Sequence, residues 1–429
     1  MSAVVVFIIF AICLIIAIPI SISLGIVAVL PGAFDASFTA SAGYVIRSMV
    51  GGIDSFPLLA VPMFVLAGIL MAHGKISEKL FDVFVYFLGN KRAGIPCAVI
   101  ITCLFYGAIS GSAPATVAAV GSMTIPLLIE LGYEKDFSTA IVAVAGGLGV
   151  IIPPSIPFIM YAMATGESVS DLFLAGIVPG MMISALLIFY AYYYCRRHGE
   201  DREKIQAKMD QLKTKGFVNI LKESIWALLS PVIVLGCIYS GVASPTEAAV
   251  ISVFYSLFVS LFIYKSIKVK QIWGIMVEAM KTYAPILFIL ATSTAFSRVL
   301  TLMQVPQDVS AWIMTHFSNE IVLLLVIKVE LLIVGMVMDT TPAILILSPI
   351  FLPILEHVGM IPIHFGVMVI VNLAVGFVTP PVGVNLFVAS SLTNVPMMQI
   401  AKKAMPMIGY FMLALLLITF IPAISLCLL

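Results

Sequence analysis

The feature that most constrains this chain is a pattern of prolines and glycines written twice. Pro126 recurs as Pro353, Gly132 as Gly359, Pro153-Pro154 as Pro380-Pro381 and Pro179 as Pro406, each pair 227 positions apart (353 − 126, 359 − 132, 380 − 153, 406 − 179). In each copy a small-residue tip, Ser110-Gly-Ser-Ala-Pro114 or Asp339-Thr-Thr-Pro342, interrupts an apolar stretch, and a segment carrying glycines then runs into a Pro-Pro pair. Proline has no amide hydrogen for a helix interior and biases the residue before it away from helix. Each copy therefore predicts a helical hairpin followed by a broken helix.

Composition puts those breaks inside a membrane. With 62% hydrophobic and 10% charged residues and a mean hydropathy of +1.18, the chain reads as an all-α polytopic membrane protein. A span takes about 20 apolar residues, and apolar runs follow one another from Val4 to Leu429 with one soluble interruption, 196–222. This divides the chain into a first copy (1–195), a linker and a second copy (223–429). Val4–Leu30 lacks a basic leader and exceeds a signal-peptide core, so it reads as one retained helix. A weaker helix is expected over about 33–50 and a span over about 55–73, ending at His73-Gly74-Lys75. From Lys75 to Phe87 the charges fall on one helical face and Leu80, Phe81, Phe84 and Phe87 on the other, the pattern of a helix lying in the interface.

The block of about 38 apolar residues that follows Lys91-Arg92 is too long for one helix and short for two spans, so a re-entrant hairpin over about 94–131 is expected. A broken helix over about 137–165 and a span from about 172 to 195 complete the first copy. In the second copy, spans are expected at about 226–242, 247–264 and 283–303. An amphipathic piece (Pro306–Phe317), a hairpin at about 320–358, a broken helix at about 363–392 and a last span at about 405–427 follow. Six cysteines without CxxC spacing read as packed side chains, with no zinc or disulfide pattern. The net charge of +1 gives no argument for a nucleic-acid partner.

Basic residues orient the copies. Lys91-Arg92 introduces the first hairpin, whereas Ser318-Asn319-Glu320 introduces the second; Glu167 and Asp171 precede the last span of the first copy, whereas Lys402-Lys403 mark the second. Because Lys and Arg favour the cytoplasm, equivalent positions lie on opposite sides, and the copies are inverted-topology repeats of the kind secondary transporters use. The linker then faces the cytoplasm and both termini the periplasm.

A helix broken in hydrocarbon exposes amides and carbonyls that must line something polar. Carbonyl and hydroxyl oxygens suit a small cation, and half-helix N-termini suit a carboxylate. Ser110, Ser112, Gly149, Ile152 and Pro154 form one candidate sodium cage, and Thr340, Thr341, Gly376, Thr379 and Pro381 the second. Intramembrane charges are functional candidates by default, here Arg298, Lys328, Glu330 and Asp339, with Glu130 and Glu247 nearer helix ends. Lys328 and Glu330, two apart, do not face each other on a helix and read as interfacial or subunit-contacting. Arg298 offers a fork suited to a carboxylate, with snorkelling to the surface as the alternative. The candidate substrate site comprises Arg298, Ser110, Asp339, Pro154, Pro381 and Asn385.

The stretches SGSAPATVAAVGSMTIP, GGLGVIIPPSIPFIMYA, SPTEAAV and GFVTPPVGVNLFV resemble the large membrane subunit (the M, DctM-like subunit) of tripartite ATP-independent periplasmic (TRAP) transporters, over essentially the whole chain. The resemblance implies a non-enzymatic, sodium-driven importer of an organic acid in the bacterial inner membrane. It also implies a secreted substrate-binding protein, a small membrane (Q) subunit and an elevator motion of the hairpin half against a scaffold. Since no small-subunit sequence precedes Met1, that partner is expected as a separate chain. The likeness is greatest to the sialic-acid (N-acetylneuraminate) type, but no motif separates that substrate from a C4-dicarboxylate. A stand-alone sodium/anion symporter, a channel, and an intramembrane enzyme using Asp339 and Glu130 are the rivals. The enzyme is disfavoured by the lack of HExxH or GxSxG, and the channel by two occluding hairpins.

Inverted copies make a direct prediction. In a chain freed of its native cysteines, a cysteine at Ser168 should react with an impermeant thiol reagent from the periplasm, and one at Lys402 only after permeabilisation. Labelling of both from one side contradicts the inversion.

Overall fold

The computed structural model describes residues 3–35, 38–214, 216–316 and 319–429; Phe317, the expected end of the amphipathic piece, and Ser318 lie outside them. The helices are α1 (Ala3–Ile15), α2 (Ile20–Phe34), α3 (Ala42–Ile53), α4 (Ala60–His73), α5 (Ile76–Leu88), α6 (Gly94–Ser110), α7 (Ala113–Glu130), α8 (Lys135–Ala145), α9 (Ile156–Thr165) and α10 (Val169–His198). A linker helix, α11 (Arg202–Thr214), leads to α12 (Phe217–Tyr239), α13 (Pro245–Phe258), α14 (Val269–Leu302) and α15 (Val305–His316). The chain ends with α16 (Glu320–Val337), α17 (Thr340–His357), α18 (Pro362–Gly376), α19 (Val384–Thr393), α20 (Met397–Phe420) and α21 (Ala423–Leu426). Among the described residues, 8 helical stretches are long and apolar enough to cross a membrane. The order helix pair, short helix, break, short helix, long helix occurs as α6 to α10 and again as α16 to α20.

Several boundaries differ from the sequence expectation, each for a local reason. The first helix divides into α1 and α2 at Ile16–Pro19, where Pro19 denies the next turn its amide and Ala17 turns left-handed (φ 61°). The helix expected over 33–50 starts only at Ala42, where the Ser41 hydroxyl accepts from the Tyr44 amide. The span expected from 283 begins at Val269, and α14 carries Pro285 in its interior. The linker is not an open loop, because Ile205, Met209 and Leu212 recur at helical spacing and are buried. On α5, Leu80 and Phe81 are buried as expected while Phe87 is exposed. Lys328 is also corrected: it turns inward, only 5% exposed, with its amino group 3.5 Å from the Leu415 carbonyl and 5.7 Å from the Phe420 ring centre. Cys13, Cys97, Cys103 and Cys195 are buried free thiols, Cys237 is half-buried and Cys427 exposed.

The two short broken helices make the centre. On α8 every residue from Phe137 to Ala145 is buried, and on α18 every residue from His364 to Gly376. Helices apolar on all sides can satisfy themselves only inside other helices. The halves are bonded here: the Asn385 amide nitrogen donates to the Ala143 carbonyl (3.1 Å) and the Tyr161 hydroxyl to the Pro362 carbonyl (2.6 Å). The base of the first helix pair is tied down separately. Glu200 accepts from the Ala93 amide, the Tyr133 hydroxyl and Arg202, while Lys403 beside Glu134 holds that carboxyl below its ordinary range.

Glycine permits the closest approaches. A Cβ on Gly107 of α6 would lie 2.6 Å from Gly149 Cα, and one on Gly376 of α18 would lie 2.4 Å from the Gly335 carbonyl carbon of α16. In both halves the first helix of the pair therefore meets the broken helix backbone to backbone. Overpacking such a contact costs about 1–3 kcal/mol. Gly376→Ala should lower the melting temperature of the detergent-purified chain, whereas Gly236→Ala, with nothing within 4 Å of its Cβ position, should not. Equal melting of the two variants would show that the contact is slack.

Candidate functional site

The first tip is the turn between α6 and α7. Gly111 adopts φ 61°, and a Cβ there would lie 2.9 Å from the Pro154 carbonyl oxygen; the Ile156 amide donates back to the Gly111 carbonyl (3.3 Å). Tip and break are thus one structure. Around them oxygens converge: the Ser110 and Thr116 hydroxyls are 3.0 Å apart, and the Thr116 hydroxyl donates to the Ser112 carbonyl (2.8 Å). A Cβ on Gly149 would sit 2.4 Å from Thr116 Oγ1 and 2.8 Å from the Ser112 carbonyl oxygen, so only glycine leaves this pocket of oxygens open.

Of the first candidate cage, Ser110, Ser112, Gly149 and Pro154 come together. Ile152, expected to act through its backbone oxygen, belongs to the same buried break, and its side chain packs on Gly180 of α10. Thr116 escaped the sequence reading although the signal was present: it stands one helical turn after Ser112 on α7, inside the same motif.

The second tip is built less tightly. Asp339 caps α17, accepting from the Thr340 amide (2.8 Å), and Thr340 and Thr341 are buried behind it. The Val382 amide donates to the Met336 carbonyl (3.2 Å), joining tip to break, and the Thr379 hydroxyl donates to the Val375 carbonyl (2.8 Å). Gly376, however, faces the backbone of Gly335 rather than a hydroxyl. Asp339, Pro381 and Val382 are exposed, whereas residues 151–155 of the first break are all buried. Asn385 is fully buried, and its side-chain oxygen has no partner. Both peptide bonds, Pro153-Pro154 and Pro380-Pro381, are cis. Among the described residues no cluster of three His, Cys, Asp or Glu side chains could hold a metal. The oxygens on offer at the first tip are hydroxyls and carbonyls.

Beside the first tip lies a cavity of about 490 Å³. One wall is the tip and α7 (Ser110, Ser112, Pro114), the other is α4 and α14, where Gly68, Glu278 and Thr282 face it. The Tyr106 hydroxyl, also in the lining, donates to the Gly68 carbonyl (3.2 Å). Glu278 pairs with His73 at 2.9 Å. Neither residue was singled out in the sequence, because Glu278 falls in the part of α14 taken to precede a span. Arg298 does not join this site. It stands 20 residues beyond Glu278 on α14 (298 − 278), about 30 Å along the axis, exposed and lying against Gly51 of α3. Asp339 and Pro381 are likewise absent from the cavity lining. Asp339 and Glu130 sit on different helix pairs, one at a tip and the other at the far end of α7.

Comparison with known proteins gives a consistent picture. The family described as "Tripartite ATP-independent periplasmic transporter, DctM component" matches residues 7–424. The chain is 42% identical to the isethionate TRAP transporter permease protein DctMQ of Oleidesulfovibrio alaskensis over 97% of its own length, and spans 64% of that relative's length. It is 39% identical to the C4-dicarboxylate TRAP transporter large permease protein DctM of Pseudomonas aeruginosa, over 87% of this chain and 86% of that one. With the 2,3-diketo-L-gulonate TRAP transporter large permease protein YiaN of Escherichia coli it shares 36% identity over 88% of this chain and 87% of that one. Two solved structures share the fold at 14% identity: the YdaH transporter of Alcanivorax borkumensis (TM-score 0.63, 93% of this chain, 96% of that one) and MtrF of Neisseria gonorrhoeae (TM-score 0.64, 93% of each).

Proposed function

The chain belongs to the DctM family of TRAP transporter large permeases, and on that premise we propose that it is a sodium-coupled importer of an organic acid working by an elevator motion. A periplasmic binding protein delivers the acid, and a small membrane subunit accompanies the permease. The observation that carries the reading is the oxygen-lined pocket at the first tip and break: sodium bound there ties the hairpin to the wall of the 490 Å³ cavity. A loaded carrier can then move where a half-loaded one does not.

The inverted-repeat reading rests on charge at the two bases. Arg92, Arg196, Arg197 and Arg202 gather near the ends of the first pair and α10, and Glu320 and Glu356 stand at the ends of the second. The first hairpin therefore enters from the cytoplasm and the second from the periplasm, with both chain termini periplasmic and the linker cytoplasmic. Helix α14, contacting α3, α4 and α17, serves as the scaffold rail. It carries the cavity wall toward one end and Arg298 toward the other, so Arg298 meets the acid only in the opposite position of the hairpin half. For the substrate, the named relatives offer isethionate, C4-dicarboxylates and 2,3-diketo-L-gulonate; sialic acid stands beside them as the acid suggested by overall likeness.

Uptake into proteoliposomes holding the permease and its small subunit should require both a sodium gradient and the binding protein. Ser110→Ala and Thr379→Ala each remove one hydroxyl, the first from the oxygens gathered at Gly149, and keep the fold nearly isosteric. Losing a hydrogen-bond-strength contact to an ion is worth about 1.5–3 kcal/mol, so the sodium concentration for half-maximal uptake should rise on the order of tenfold to a hundredfold with normal membrane abundance. Since only differential binding lets an ion shift carrier states, an unchanged sodium dependence in both variants would falsify the cages.

A further inference from the structure

The cavity at the first tip states a charge rule that the family alone does not. Its lining contains one carboxylate, Glu278, and no lysine or arginine. The rest is chiefly apolar: Val65, Ile69, Ala115 and Ile286 surround a short polar floor made by Ser110 and Ser112. That floor lies where α7 begins, and the unpaired amides at a helix start favour one anionic group.

Opposite it stands Glu278, its side chain 54% exposed and paired with His73 at 2.9 Å. If His73 is neutral the wall carries one negative charge; if it is protonated the pair cancels. In neither state does the wall offer a net positive charge to a second anionic group. Lys75, Lys270 and Lys281 are not among the residues lining the cavity. Lys75 lines a neighbouring pocket with His73, and Lys270 lines another on the far side of the Glu278–His73 pair, which both of those residues share.

Resting on the carrier reading above, we infer that this chain selects organic acids bearing a single negative charge, carboxylate or sulfonate, and that Glu278 is the residue that rejects dianions. A monoanion places its charged group at the Ser110–Ser112 floor and its neutral body against the apolar wall, where hydroxyls on that body can bond to Glu278 and Thr282. A dianion of the same length directs its second charge at Glu278. Like-charge repulsion between that group and Glu278, only partly screened, weakens binding on the order of tenfold.

The test uses matched pairs that differ by one charge: succinamate and succinate, isethionate and sulfoacetate, gluconate and glucarate. Binding to the purified full-length permease is read as sodium-dependent thermal stabilisation titrated with each acid. In whichever pair binds, the monoanion should bind at least tenfold more tightly. Glu278→Gln should bring the dianion to within about threefold of its partner, and His73→Gln, which keeps Glu278 and removes the cation candidate paired with it, should preserve or sharpen the preference. A wild-type chain that binds the dianion as well as the monoanion overturns the inference, as does a preference that survives Glu278→Gln or is lost in His73→Gln. Should Glu278→Gln fail to fold, the wild-type ratio and His73→Gln decide alone. If no acid of any pair stabilises the wild-type chain in sodium, the carrier reading itself fails, an outcome distinct from binding without charge preference.

Discussion

Everything in this molecule depends on backbone groups that a broken helix leaves unpaired in hydrocarbon. Each such amide or carbonyl costs several kcal/mol unless something polar meets it. The structure meets the demand by folding a tip onto each break: the Ile156 amide bonds to Gly111 in one half and the Val382 amide to Met336 in the other. Burial follows from this arrangement. The helices that carry the breaks, α8 and α18, can be buried on every face because their polar interruptions are answered locally. Glycine then becomes obligatory where backbones touch, at Gly107 against Gly149 and at Gly335 against Gly376.

The two halves share this scheme and differ in how they finish it. At the first break, three side-chain and backbone oxygens of Ser110, Ser112 and Thr116 close over Gly149, and the segment is buried throughout. At the second, Gly376 faces backbone, while Asp339, Pro381 and Val382 are exposed residues. The first tip is also the one beside the large cavity. The first half is therefore the more closed cluster of oxygens, and the second the looser clasp. The Ala143–Asn385 and Tyr161–Pro362 bonds join the two halves next to the breaks.

What the sequence made legible was whatever a backbone conformation forces on residue identity. Prolines and glycines announced the tips, the breaks and their 227-residue spacing, because few other residues tolerate those geometries. Less legible were features fixed by packing between distant segments. Arg298 and Ser110 each had plausible chemistry, yet a helix of 34 residues separates the tip-side wall from the arginine by several turns, a distance set by how α14 lies against α4. Glu278 was invisible for the same reason: its partner His73 is 205 positions away. Lys328 read as interfacial together with Glu330, two positions on, but packing turns Lys328 onto α20 and leaves Glu330 exposed, a difference set by a helix 87 positions away. The linker's buried stripe of Ile205, Met209 and Leu212 was masked by the charges around it.

The central claim is that the hairpin half, clasped by its two breaks, slides as a body along α14. A distance measurement between spin labels at the exposed Met276 of α14 and the exposed Tyr193 of α10 tests it most directly, in a cysteine-free chain reconstituted in lipid. The account predicts two distance populations whose proportions change when sodium and a transported acid are added together and not when either is added alone. One population that is unmoved by sodium, acid or both would contradict a sliding carrier and leave the clasped breaks as static architecture.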